Sequence, residues 1–234
     1  MRALVSRLPI LCRGDSAAIS DWLNEPGLRW IVFCVLTIAL GSGLYGATIG
    51  LWRAGLMAVY VALKFPLLIF LTTLCNALLN WMIALVIGAE ISFRQTLLSQ
   101  LMGFTVAALI LAAMAPIILF ILFNIPALSD GHTFGHGFFL LTNVAILAVA
   151  GLVSNGRLYG FLQMQVGNRT LARKVLFAWL AGNLLVGAQL SWNLRPFIGT
   201  PSLEIQFLRP NPFEGNFYET VYHTANRMIT GADQ

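Results

Sequence analysis

Apolar residues run along this chain in long blocks with little polar interruption. Between positions 30 and 88 the charged side chains are Arg53 and Lys64 alone, and further blocks cover about 101–123, 138–154 and 175–194. A helix needs about 20 apolar residues to cross a hydrocarbon core of about 30 Å. Each of the later blocks therefore predicts one span, and 30–88 predicts two. The first is 30–51, flanked by Trp30 and Trp52 as interfacial rings. Residues 54–88 would make a helix of about 52 Å, too long for one straight crossing. Lys64-Phe65-Pro66 marks the division, because proline suits a first helical turn and disfavours an interior. Residues 54–65 are thus expected to be interfacial or re-entrant, with the second span at 67–88. The predicted fold is all-α, a polytopic transmembrane helix bundle of about five spans. An interfacial amino-terminal segment (1–29) precedes it and an aromatic, Pro-containing extramembrane tail (195–234) follows.

Composition agrees with that pattern. Hydrophobic residues make up 58% of the 234 and charged residues 10%, against about a quarter charged in soluble domains; the mean hydropathy is +0.80. The net charge of +5 is spread over loops, which excludes the clustered basic face that nucleic acid needs. Cys12, Cys34 and Cys75 are scattered, so neither a disulfide framework nor a zinc site is indicated.

Within the spans the informative positions are small or polar. Ser42, Gly46 and Gly50 recur every fourth residue, as do Ala178 and Gly182. Such small-residue faces let helix backbones approach closely, within the chain or, alternatively, across a dimer seam. Lys64 is expected near head-group depth, where its ammonium can snorkel. Asn76 and Asn80, one turn apart, join Asn183 and Gln189 as intramembrane amides that bridge helices or line a polar path. Pro116 is expected to kink the third span. Ser20-Asp21 is a candidate cap for a short amino-terminal helix. Asp130, His132 and His136 lie in a glycine-interrupted stretch that reads as a polar turn and not as a metal site. No metal or cofactor is expected.

With five spans the termini fall on opposite sides. Arg2, Arg7, Arg13, Arg29, Arg94, Arg157, Arg169, Arg173 and Lys174 collect on the amino-terminal side, against Arg53, Lys64, Arg195, Arg209 and Arg227 on the other. The positive-inside rule places the amino terminus in the cytoplasm and the tail outside, for which a bacterial inner membrane is the expected setting. Arg169, Arg173 and Lys174 would then face anionic lipid or a cytosolic partner.

Three stretches carry a resemblance to a known family. They are Gly43-Leu44-Tyr45-Gly46, the apolar block broken by Lys64-Phe65-Pro66, and Gly88-Ala89-Glu90-Ile91-Ser92-Phe93-Arg94-Gln95-Thr96-Leu97. Together with five spans, they resemble the Ypt-interacting-protein (YIP) domain family, in particular its bacterial members, over roughly 30–195. The Asp-Leu-Tyr-Gly-Pro motif of eukaryotic members is not matched: Ser42-Gly43 precedes Leu44 and Ala47 follows Gly46. The resemblance implies a non-enzymatic integral membrane protein that works through contacts. The leading expectation is therefore a membrane scaffold or adaptor whose partners are lipids, other membrane proteins or a second copy. The alternative is a subunit of a transporter or other multi-subunit complex, with Lys64, Asn76, Asn80, Asn183 and Gln189 along a polar intramembrane pathway. Catalysis is not expected, because the predicted spans hold no Asp, Glu or His to serve as acid, base or ligand.

Overall fold

The computed structural model describes residues 5–24, 27–53, 55–125, 133–199 and 204–230. Two short helices come first, α1 (Arg7–Arg13) and α2 (Ser16–Asn24). Five long ones follow: α3 (Leu28–Gly50, continued by a 3-10 turn at Leu51–Arg53), α4 (Leu56–Ile87), α5 (Phe93–Asn124), α6 (Thr133–Val166) and α7 (Arg169–Asn193). A strap, irregular over the described residues 194–199 and 204–216, precedes α8 (Phe217–Thr230). Each of the five long helices is long and apolar enough to cross a membrane, so the chain forms the expected all-α bundle of about five spans. Leu40, Leu74, Val86 and Phe123 point outward, as suits a surface whose solvent is lipid.

Helix α3 sits at the centre of the packing, against α4 and α5. Helix α4 also holds α7, while α6 lies beside α5 and α7. Helices α1 and α2 dock on α5 and α6 and bury Leu11 and Ile19; Arg157 of α6 donates to the Arg13 carbonyl at 3.2 Å. The amino-terminal segment is therefore docked on protein at one end of the bundle. Asp15 immediately precedes α2 and accepts from the Ala18 amide, whereas Ser20 and Asp21 fall inside the helix. At the other end α8 rests on α6 and α7.

The closest approach in the bundle explains why α4 is one helix. A Cβ at Gly46 would lie 2.5 Å from the Val61 carbonyl oxygen, and one at Gly50 would lie 2.5 Å from Ala58 Cα. Ser42, one turn earlier, is buried and turns its hydroxyl back to the Ile38 carbonyl. The small-residue face of α3 is thus occupied inside the chain by residues 57–65. Residues 56–65, expected as a segment separate from the second span, are the first turns of the same continuous helix. Helix α4 continues through Pro66 for 32 residues, about 48 Å. Burying Met57, Val61 and Phe65 against α3 outweighs the one backbone bond that proline removes. Helix α5 likewise runs through Pro116.

The other long helices also begin earlier or end later than their apolar blocks, because polar caps and not hydropathy set the ends. Gly88 closes α4 in the left-handed conformation (φ 90°) that favours glycine. Ser92 then accepts from the Gln95 amide while Gln95 Oε1 accepts from the Ser92 amide, a reciprocal capping box. Trp30, expected as an interfacial ring, is buried inside the protein, whereas Trp52 is half-buried. Trp30 is buried beside Trp22, with the Arg7 guanidinium 5.6 Å from its centroid, and Trp52 stacks on Phe139 at 4.9 Å.

Gly46→Leu is expected to lower the thermal midpoint of the detergent-solubilised protein, since overpacking of this kind costs about 1–3 kcal/mol. Gly151→Ala on α6, where an added Cβ meets nothing within 4 Å, should leave the midpoint unchanged or raise it.

Candidate functional site: a polar stripe between α4 and α7

Along α4, Lys64, Thr72, Asn76 and Asn80 stand at four-residue spacing, with Leu68 the apolar member. Neighbours four apart adjoin on a helix surface, and this row runs about 24 Å along the axis while winding about 40° per step around it. That is most of a hydrocarbon core. All four polar residues are buried, Lys64, Asn76 and Asn80 at 0% exposure.

Helix α7 meets this row with glycines. A Cβ at Gly182 would lie 3.0 Å from Asn80 Oδ1 and 3.8 Å from Asn76 Oδ1, and one at Gly187 would lie 3.6 Å from Thr72 Cγ2. Trp179 Nε1 donates to the Asn80 backbone carbonyl at 2.9 Å, and Asn80 Nδ2 donates to Asn183 Oδ1 at 3.4 Å. Further along, Gln100 of α5 shares a small cavity with Ser154 and Asn155 of α6 and Trp179 and Asn183 of α7. Its volume is about 20 Å³, enough for one water molecule. Neutral amides from four helices therefore converge inside the bundle. Both amide atoms of Asn76, both of Gln100, and Asn80 Oδ1 are buried with no hydrogen-bond partner among the described residues. Each such atom costs about 1–3 kcal/mol if left unpaired.

At the stripe's other end Lys64 does not snorkel, which corrects the sequence expectation. Its Nζ donates to the Pro196 carbonyl at 2.9 Å and lies 5.7 Å and 5.0 Å from the Phe197 and Phe207 ring centroids. The strap after α7 folds back and covers the ammonium, so one carbonyl and two aromatic faces replace water around it. Arg195 holds the strap in shape. It donates to the carbonyls of Trp192, Asn211, Pro212 and Glu214 and sits 4.1 Å over the Trp192 ring.

The remaining candidates are dispersed. Ala178 is half-buried on α7, and Gln189 is exposed near its end. Arg169, Arg173 and Lys174 are exposed at the start of α7, where Asn168 caps the helix by accepting from the Thr170 and Leu171 amides. Asp130 and His132 lie outside the described residues. His136 is on α6, its ring 6.5 Å from Trp52. Three polar residues escaped the sequence reading. Thr72 was legible as the missing member of the four-residue row. Gln100 sits in a part of α5 that hydropathy leaves outside the span. Asn143, which accepts from the Tyr45 hydroxyl at 2.8 Å, carries no periodic signal.

Lys64→Met keeps the aliphatic stem and removes the charge. Chymotrypsin is expected to cut the strap after Phe197 or Phe207, the two rings that cover the ammonium, several-fold faster in this variant, with helix content by circular dichroism unchanged. Equal cleavage in both proteins would show that the ammonium does not hold the strap.

No family model, curated protein or solved structure matches the chain. It stands on its own architecture: an all-α membrane bundle with five long apolar helices and an amide-rich stripe running through its interior.

Proposed function

We propose that this protein is a subunit of a transporter or other multi-subunit membrane complex, with the stripe from Asn80 toward Lys64 as a route for small, uncharged polar solutes. The observation that carries this reading is the set of unpartnered buried amides on Asn76, Asn80 and Gln100. A low-dielectric interior makes such groups costly unless something meets them. Donor–acceptor amides without a carboxylate suit a neutral solute better than a cation. Lys64 at one end works against cation entry.

Membership of a larger assembly is suggested by α7. Its buried residues are Ala172, Val175 and Trp179 among 25, so one flank is available to another subunit. The adaptor reading of YIP type has less support, because Ser42, Gly46 and Gly50 are used within the chain. Exposed Arg169, Arg173 and Lys174 remain suited to anionic head groups or a partner. An amino terminus in the cytoplasm of a bacterial inner membrane, and a role without catalysis or cofactor, belong to the same reading.

The test is stopped-flow urea permeability of vesicles reconstituted with the protein and the partners that copurify in mild detergent. Wild-type vesicles should shrink and recover faster than vesicles lacking protein. Asn76→Leu/Asn80→Leu should abolish the difference without lowering thermal stability. If the double variant conducts like wild type, the stripe is packing and not a route.

A further inference from the structure

A second cavity, of about 360 Å³, lies at the carboxy-terminal end of the bundle among α4, α6, α7, the strap and α8. That volume falls in the range of about 300–1,000 Å³ typical of small-molecule sites. Its wall is apolar for most of its extent, with Leu68, Leu140, Val144, Leu147 and Phe217 contributing, and Arg195 and Arg209 stand on its lining. Residues 65–68 of α4 border it, about 18 Å along the axis from Asn80.

The charge around this cavity is one-sided. Arg209 acts electrostatically on both Lys64 and Arg195. Glu214 is the carboxylate that acts on Arg195. Burial first, and then Arg209, lower the Arg195 pKa, with Glu214 opposing. Arg195 spends its donors on four carbonyls and Lys64 binds the Pro196 carbonyl. Arg209, half-buried, makes no hydrogen bond or ion pair among the described residues. A guanidinium with free donors, close to two further cations and on the wall of an oily chamber, matches a molecule with an anionic head and a hydrocarbon tail. Guanidinium favours phosphate because its planar fork bonds two oxygens at once.

We infer that this cavity binds one acyl chain of a phosphate-headed lipid, with the phosphate on Arg209 and the chain between α4, α6 and α8. The site goes beyond the polar-route reading and does not rest on it. Charge complementarity at the lining arginines selects the occupant, and the apolar part of the wall accepts its tail.

Trp192 lines the cavity, so a brominated acyl chain entering it quenches tryptophan fluorescence. The purified full chain in detergent would be titrated with bromo-acyl lysophosphatidate, with the matching uncharged bromo-acylglycerol, and with inorganic phosphate as competitor. Saturable quenching by the lysophosphatidate, largely lost in Trp192→Phe, is expected. Arg209→Gln should raise the half-saturating concentration about tenfold or more, and Arg209→Lys should recover part of the loss. Leu147→Trp should fill the chamber and exclude the chain, whereas Asn76→Leu should bind as wild type does. Thermal unfolding of each variant separates lost binding from lost fold, and Arg209→Lys serves as the comparison should Arg209→Gln unfold. Equal half-saturation for wild type and a folded Arg209→Gln would overturn the inference. So would uncharged acylglycerol binding as tightly, or inorganic phosphate displacing the lipid at similar concentration.

Discussion

Backbone contact between α3 and α4 sets the geometry of everything downstream. Gly46 and Gly50 bring the two chains close enough that residues 57–65 lie directly on α3. A helix that starts there has to continue through Pro66 to keep its place. One continuous α4 then holds Lys64 and Asn80 in a fixed register, about 24 Å apart along its axis. Broken at Pro66, the same residues would lie on separate segments with no fixed register, and α7 would have no polar row to match with Gly182 and Gly187.

The polar groups along α4 are handled differently at its two ends. Near the strap, the Lys64 amino group is met by the Pro196 carbonyl and the Phe197 and Phe207 rings. Toward the amino-terminal end the groups are neutral amides, some joined across helices and some unpaired. An amino group buried away from water demands a dedicated shell, and the returning strap supplies it. An amide can wait for a partner at smaller cost. The strap thus does two jobs, covering Lys64 and forming one wall of the larger cavity.

Two of the features behind the YIP resemblance acquire local physical roles. The Gly43-to-Gly46 run lies on α4, with a Cβ at Gly43 falling 3.2 Å from the Ala62 oxygen. The Gly88-to-Gln95 turn is a glycine stop followed by a capping box. Either device serves any tightly packed helical hairpin, so each is informative about packing and silent about partners.

Hydropathy by itself determined that this is a helical membrane protein with about five crossings, because lipid leaves a spanning chain few other ways to satisfy its backbone. The four-residue recurrence of Ser42, Gly46 and Gly50, and of Asn76 and Asn80, was likewise readable, since helix periodicity alone puts them on one face. What each face meets was decided by tertiary structure. Pro66 reads as a break until α3 is seen lying along residues 57–65, and Lys64 reads as interfacial until the strap, 132 positions later in sequence, supplies the Pro196 carbonyl. Gln100 joins the amides because α5 begins at a cap eight residues before its apolar block. Local pattern encodes direction along one helix; only the fold brings distant segments into the same few ångströms.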